Sequence, residues 1–104
     1  MLTINFDDNT EWWTSGGVFD RLFEAAVASG AIPGRMSHWG DVVNANGGYF
    51  AKSVDPLDAQ VFRDGLLSTA YAELPGLPRE GLDWTYKVSL TKLIRALGGE
   101  VDTE

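Results

Sequence analysis

The single histidine, His38, is the first residue whose type could support catalysis, because imidazole titrates near neutral pH. Asp41 follows three residues later, and a carboxylate beside a histidine can orient it as a general base. Ser37 and Ser15 supply hydroxyl nucleophiles, although no nucleophile-elbow sequence accompanies them. A small enzyme or ligand-binding domain that uses His38 and Asp41 is therefore one alternative function. The residue pattern itself marks out no catalytic residue.

Two further stretches contain ligand-type residues without the pattern that their chemistry needs. Gly16-Gly17 precedes a predicted helix, yet neither Gly-x-Gly-x-x-Gly nor Gly-Lys-Ser/Thr is present to hold a phosphate. The acids in residues 7–11 lack the register, central glycine and distal glutamate of a calcium loop. One histidine and no cysteine leave few ligands for a transition metal. The sequence predicts no metal and no cofactor.

Tryptophan is abundant, with four in 104 residues, whereas a core of this size houses about two in full. Trp12 and Trp13 are adjacent, so in an extended segment one faces the core and the other faces outward. Trp84 is predicted to be buried, and Trp39 competes for the remaining room. An exposed tryptophan beside acids is typical of an interface anchor with a charged rim. The predicted partner-binding residues are Asp7, Asp8, Glu11, Trp12, Trp13 and Trp39.

The net charge of −7 indicates what the protein binds. It disfavours direct contact with nucleic acid or an anionic membrane, because phosphate contacts need Lys and Arg. It favours a basic protein partner, although the same charge also keeps a small protein soluble. No apolar run approaches the ~20 residues that a membrane span needs, and residues 1–30 do not resemble a signal peptide. We therefore expect a soluble cytoplasmic protein.

Hydrophobic periodicity predicts the elements that position these residues. Residues 1–6 alternate as a half-buried strand, and an acidic turn follows. Ser15 is the predicted N-cap of an amphipathic helix that stops at Gly30. Residues 37–54 predict a hairpin of two strands around an Asn-Gly turn. A short helix over residues 36–45 is the alternative for the first of these strands.

The longest predicted helix runs from Asp55 to Leu74. Asp55 is a suitable N-cap, Pro56 suits the first helical position, and Pro75-Gly76 ends the helix. Gly65 is predicted to let this helix approach the first helix closely.

The C-terminal part of the chain has two interpretations. Residues 84–90 alternate as a strand, after which Ser89 caps a short helix that ends at Gly98-Gly99. The alternative is one continuous helix from Asp83. Residues 100–104 are predicted to form a frayed acidic tail.

This order predicts an α+β fold: a small antiparallel sheet with two main helices on one face and a short C-terminal helix. Strand, helix, strand, strand, helix, strand is the split βαβ order of ferredoxin-like domains. Residues 1–104 are expected to form a single domain. A fold of this kind has no preferred function.

Charge, tryptophan content and the absence of a catalytic motif together predict a non-catalytic protein-binding module. In physical profile, though not in any motif, the chain resembles small acidic inhibitors such as bacteriocin immunity proteins and phage anti-defence proteins. The resemblance implies inhibition of a basic or nucleic-acid-binding partner, by charge steering followed by aromatic anchoring. A third alternative is a structural homodimer or assembly protein that pairs strand edges or the surface at Leu57 and Val61.

Overall fold

In the part of the chain that the structure describes, three strands and four helices form the fold. The computed structural model describes residues 1–7, 9–78 and 81–101, with the backbone alone for Leu82. The elements in order are β1 (Leu2–Asp7), β2 (Thr10–Thr14), α1 (Gly16–Ser29), α2 (Trp39–Asn46), β3 (Gly48–Phe50), α3 (Pro56–Glu73) and α4 (Gly81–Ala96), with short 3-10 turns between some of them. The predicted α+β class is confirmed.

The sheet has the order β2-β1-β3, with β1 in the centre. β1 and β2 form an antiparallel hairpin, whereas β1 and β3 run parallel. The sheet is therefore mixed rather than antiparallel as predicted, and the ferredoxin-like order is not confirmed. The long connection from β1 through β2, α1 and α2 permits the parallel pairing with β3, because parallel strands need a crossover.

Residues 39–46 form a helix, so the hairpin predicted over residues 37–54 is wrong and its helical alternative is correct. Gly47 ends α2 with φ of 75°, and its N–H donates to the Asn44 carbonyl. A glycine with positive φ serves a helix C-cap and a hairpin turn equally well. The Asn-Gly pair therefore could not distinguish the two structures. Of the predicted second strand, residues 49–54, only Tyr49 and Phe50 belong to a strand, and residues 51–53 form a 3-10 turn.

The strand predicted over residues 84–90 is also wrong, because α4 is one continuous helix. Its buried residues follow helical spacing: Tyr86, Leu90, Leu93 and Ile94, with buried Leu97 directly after the helix. Trp84 is 43% exposed, contrary to its predicted burial. Each helical residue turns by about 100°, so Trp84 lies nearly opposite Tyr86 rather than on the same side.

The other two helices begin and end as predicted. The Ser15 hydroxyl accepts from the Val18 N–H at 3.1 Å, and Gly30 ends α1 with φ of 85°. The Asp55 carboxylate caps α3 by accepting from the Leu57 N–H at 2.8 Å. Gly65 does permit a close approach, but to the segment 31–32 that follows α1 rather than to α1 itself.

The helices and the inner face of the sheet share one hydrophobic core, with Ile4, Phe19, Phe62, Leu66 and Leu90 among its fully buried side chains. The predicted tail is partly docked, because Val101 packs against this core. Residues 102–104 lie outside the described residues. In the ranges that the structure describes, no helix combines the length and apolar character needed to cross a membrane.

Candidate functional site

The face of the sheet that points away from the core carries two exposed aromatic side chains, Trp13 on β2 and Phe50 on β3. Backbone pairing places Trp13 opposite Thr3, and it places both Glu11 and Phe50 opposite Asn5. The aromatic residues therefore flank the central strand β1, on strands about 10 Å apart. We call Thr3, Asn5, Glu11, Trp13 and Phe50 the open sheet face.

Trp13 is held in place by its own strand. Its indole Nε1–H donates to Glu11 Oε1 at 2.9 Å, and both side chains are exposed. Glu11 and Trp13 are two residues apart and thus lie on the same face of β2. The hydrogen bond aligns the indole along the strand and leaves the second carboxylate oxygen of Glu11 for another donor.

Trp12 is the buried member of the tryptophan pair, at 2% exposure. Its indole N–H donates to the Ser89 carbonyl at 3.0 Å, which ties β2 to α4. The prediction that one of the two tryptophans is core and the other exposed is confirmed. The assignment of Trp12 to the partner-binding surface is corrected, because strand alternation turns it inward.

Trp39 also lies on the helical side of the sheet, half-buried in α2. Its ring centroid is 5.3 Å from that of Phe62 and 5.9 Å from that of Tyr49, both of which are core residues. Trp39 is therefore a packing residue and is separate from the open sheet face. Its predicted role in partner binding stays a prediction, because α2 rather than a strand positions it and no contact with a partner is described.

Asp7 lies at the turn between β1 and β2, on the same hairpin as Glu11 and Trp13. The pKa of Asp7 is lowered, because the Asn9 N–H donates to its carboxylate at 2.8 Å and the Thr10 side chain adds a second hydrogen bond. The hairpin that bears Trp13 therefore carries an ionised carboxylate at its turn. Asp8 lies outside the described residues.

Among the described residues, sequence reasoning missed three exposed aromatic residues: Phe50, Tyr71 and Trp84. Phe50 follows Tyr49 in a predicted strand, so alternation puts the two residues on opposite faces. Nothing local showed which of them is buried; the structure buries Tyr49 and leaves Phe50 54% exposed. The alternative of one continuous helix from Asp83 would have predicted that Trp84 is exposed, because it places Trp84 away from the buried stripe that contains Tyr86 and Leu90.

The residues of the alternative enzyme site do not converge. Ser37 and Asp41 line a groove of about 340 Å³ between α1 and α2, but His38 does not line it. The His38 side chain is exposed, and it has no hydrogen bond or ion pair with the residues that the structure describes. The groove is instead bordered by carboxylates, of which Asp20 accepts from the Asn44 amide at 2.7 Å.

Comparisons of the chain with protein-family models, curated proteins and solved structures give no match. Function must therefore be inferred from the chemistry of the surface. Within the described ranges, no three His, Cys, Asp or Glu side chains group closely enough to hold a metal ion. The open sheet face combines fixed aromatic rings with carboxylates, and this arrangement suits non-covalent binding of a cationic, partly apolar ligand.

Proposed function

We propose that this protein is a non-catalytic binding module that holds a basic protein partner on its open sheet face. The observation that carries the proposal is Trp13, which is 58% exposed while its indole N–H is already bonded to Glu11. Tryptophan is among the residues that contribute most to binding, because it buries a large area at little cost in side-chain entropy. A preoriented ring on a strand lowers that cost further.

Charge supports a basic partner. The chain carries −7, and Asp7 and Glu11 place part of that charge on the hairpin that bears Trp13. Complementary charge accelerates encounter and disfavours partners of the same sign. Trp13 and Phe50 then lose water on contact with the partner, which supplies affinity. Bases of single-stranded nucleic acid also stack on exposed rings, but here their phosphates would meet carboxylates.

Inhibition is the biological role that this chemistry suits best. A basic protein surface that normally receives phosphate groups can be occupied by carboxylates instead. A module that covers such a surface blocks it without catalysing a reaction. This mode of action matches the small acidic inhibitors of nucleases and other nucleic-acid-binding proteins that the chain resembles in physical profile.

The proposal is tested by affinity capture from lysate at low and moderate salt, followed by mass spectrometry. The baits are the wild-type protein, Trp13→Ser and, as a matched control, Trp84→Ser, which removes an exposed indole from α4. We expect the wild type and Trp84→Ser to retain the same basic protein and Trp13→Ser to lose it. Equal capture by all three baits, or no basic protein in any capture, contradicts the proposal.

A homodimer is the second candidate, favoured by Leu57, whose side chain at the start of α3 is 77% exposed. An apolar residue this exposed would be covered if two copies paired through α3. Light scattering over a range of protein concentrations tests this candidate with the wild type and Leu57→Ser. A mass that stays at one chain throughout excludes it.

A further inference from the structure

The protein already binds an arginine side chain of its own against an aromatic ring. The Arg21 guanidinium lies 3.9 Å from the centre of the Tyr86 ring and pairs with Asp83 at 3.0 Å. The Tyr86 hydroxyl in turn donates to the Glu73 carboxylate. The cluster thus has four parts: the face of the Tyr86 ring, a first carboxylate (Glu73) bound to the polar edge of the ring, a cation (Arg21) stacked on the face, and a second carboxylate (Asp83) paired with the cation.

Trp13 and Glu11 reproduce the first two of these parts on the open sheet face. The indole N–H donates to the Glu11 carboxylate at 2.9 Å, just as the Tyr86 hydroxyl donates to Glu73. In the described part of the chain, no cation stacks on Trp13 and none pairs with Glu11. A partner molecule can supply the cation, which then pairs with the second carboxylate oxygen of Glu11, in the role that Asp83 has for Arg21.

We propose that the open sheet face recognises an arginine side chain of its protein partner, stacked on Trp13 and hydrogen-bonded to Glu11. This inference rests on the proposed function and specifies its chemistry. The guanidinium group is planar, so it stacks on the indole while its in-plane N–H groups reach the carboxylate. A lysine ammonium is compact and strongly hydrated, and it matches this geometry less well.

Phe50 adds a second requirement for the partner. Trp13 and Phe50 are separated by two strand spacings and by two residues along β1, which together give about 12 Å. The short polar side chains of Thr3 and Asn5 lie between them on β1. In an extended segment, residues four apart lie on the same face and span about 13 Å. The partner segment therefore carries an apolar residue four positions from the arginine, and this residue packs on Phe50.

The test uses capped synthetic peptides and NMR of the tryptophan indole N–H signals, with the Trp13 signal assigned by its loss in Trp13→Phe. The parent peptide has Arg and Leu four residues apart in a Ser/Thr background. Matched peptides replace Arg by Lys, Arg by citrulline, or Leu by Ser. Protein variants are Trp13→Ser, Glu11→Gln and the control Glu24→Gln, which removes one charge from α1.

We expect the parent peptide to shift the Trp13 signal and the lysine peptide to bind about two- to fivefold more weakly, as the loss of a surface cation–π contact implies. The citrulline and serine peptides, Trp13→Ser and Glu11→Gln should each weaken binding, and Glu24→Gln should not. Equal affinity for the arginine and lysine peptides overturns the inference, as does an unshifted Trp13 signal. If Trp13 is still required to capture a basic protein, the proposed function stands and only its arginine chemistry fails.

Discussion

Trp12 and Trp13 are consecutive residues of β2, yet Trp12 is 2% exposed and Trp13 is 58% exposed. The Trp12 indole bonds to a backbone carbonyl of α4, whereas the Trp13 indole bonds to the side chain of Glu11. The first ring therefore joins the sheet to a helix, and the second has its face open to solvent. The same residue type serves stability at one position and binding at the next.

Substitutions at these two positions should separate stability from binding. Trp12→Ala should lower the free energy of unfolding by about 3–5 kcal/mol, as expected for loss of a large buried ring. Trp12→Phe keeps an aromatic ring but loses the bond to Ser89, so a cost of about 1–3 kcal/mol is expected. Trp13→Ala should change stability by no more than about 0.5 kcal/mol. Urea denaturation measures the free energy of unfolding of all three variants. If Trp13→Ala lost as much stability as Trp12→Ala, the assignment of Trp13 to the surface and Trp12 to the core would be contradicted.

Two buried tyrosines should respond oppositely to loss of their hydroxyls. The Tyr86 hydroxyl donates to Glu73, so Tyr86→Phe should cost about 1.5–3 kcal/mol, the range for a bond to a charged acceptor. The Tyr49 hydroxyl is buried without a hydrogen bond to any described residue. Tyr49→Phe should therefore leave stability unchanged or raise it by up to about 1 kcal/mol. Urea unfolding at pH 7 compares the two variants, and a larger loss for Tyr49→Phe would refute the prediction.

Stability should fall at alkaline pH because of the same two tyrosines. Burial, with a smaller effect of the Asp58 charge, raises the pKa of Tyr49 to about 12, from an ordinary value of 10.0. Burial and the bond to Glu73 also raise the pKa of Tyr86. Between these pKa values the folded state keeps the tyrosine protons that the unfolded chain releases. The contribution of the protonated tyrosines to the free energy of unfolding is therefore complete below pH 10 and is lost as pH rises through 12.

The alkaline loss is measured as the free energy of unfolding at a series of pH values between 9 and 12. Lysines also titrate in this range, so the comparison is between wild type and Tyr49→Phe, which share them. The wild type should lose more stability than the variant over this interval. Parallel curves for the two proteins would show that Tyr49 does not contribute.

The parallel pairing of β1 and β3 depends on a glycine. A Cβ atom added to Gly48 would lie 2.5 Å from the Thr3 carbonyl oxygen, so Gly48→Ala must push the two strands apart. We expect a loss of about 1–3 kcal/mol, typical of overpacking. The control is Gly17→Ala, which adds the same methyl group where nothing lies within 4 Å and should stabilise α1 by about 0.4–1 kcal/mol. Thermal unfolding distinguishes them, and equal melting temperatures would argue against a close β1–β3 approach.

Partner binding should depend on where a charge lies as well as on the total. Glu11→Gln and Glu24→Gln each remove one negative charge, but Glu11 lies on the open sheet face and Glu24 borders the groove between α1 and α2. We expect Glu11→Gln to weaken binding of the captured partner about two- to fivefold at low salt and less at high salt. Glu24→Gln should have little effect. Calorimetric titration at two salt concentrations measures both, and equal effects would mean that only net charge matters.

Local sequence determined α1 and α3 almost completely. Ser15 and Gly30 bound one helix, Asp55 and Pro56 begin the other, and each carries an apolar stripe of helical period. These signals act within one or two turns of chain, so no distant contact is needed to interpret them. The opposite orientation of Trp12 and Trp13 could also be predicted from local sequence alone, because it follows from the two-residue period of a strand.

Tertiary structure decided the rest, because short apolar runs satisfy two periodicities at once. Residues 39–46 and 84–90 contain patterns compatible with strand or helix, and packing against the core selects the helix. The open sheet face itself was hidden from sequence reasoning, because its members are brought together by strand pairing across the chain. Asn5 meets both Glu11 and Phe50 only in the folded sheet. Sequence thus predicted that one of Trp12 and Trp13 is exposed beside acidic residues, whereas the fold determined that it is Trp13 and placed Phe50 across β1 from it.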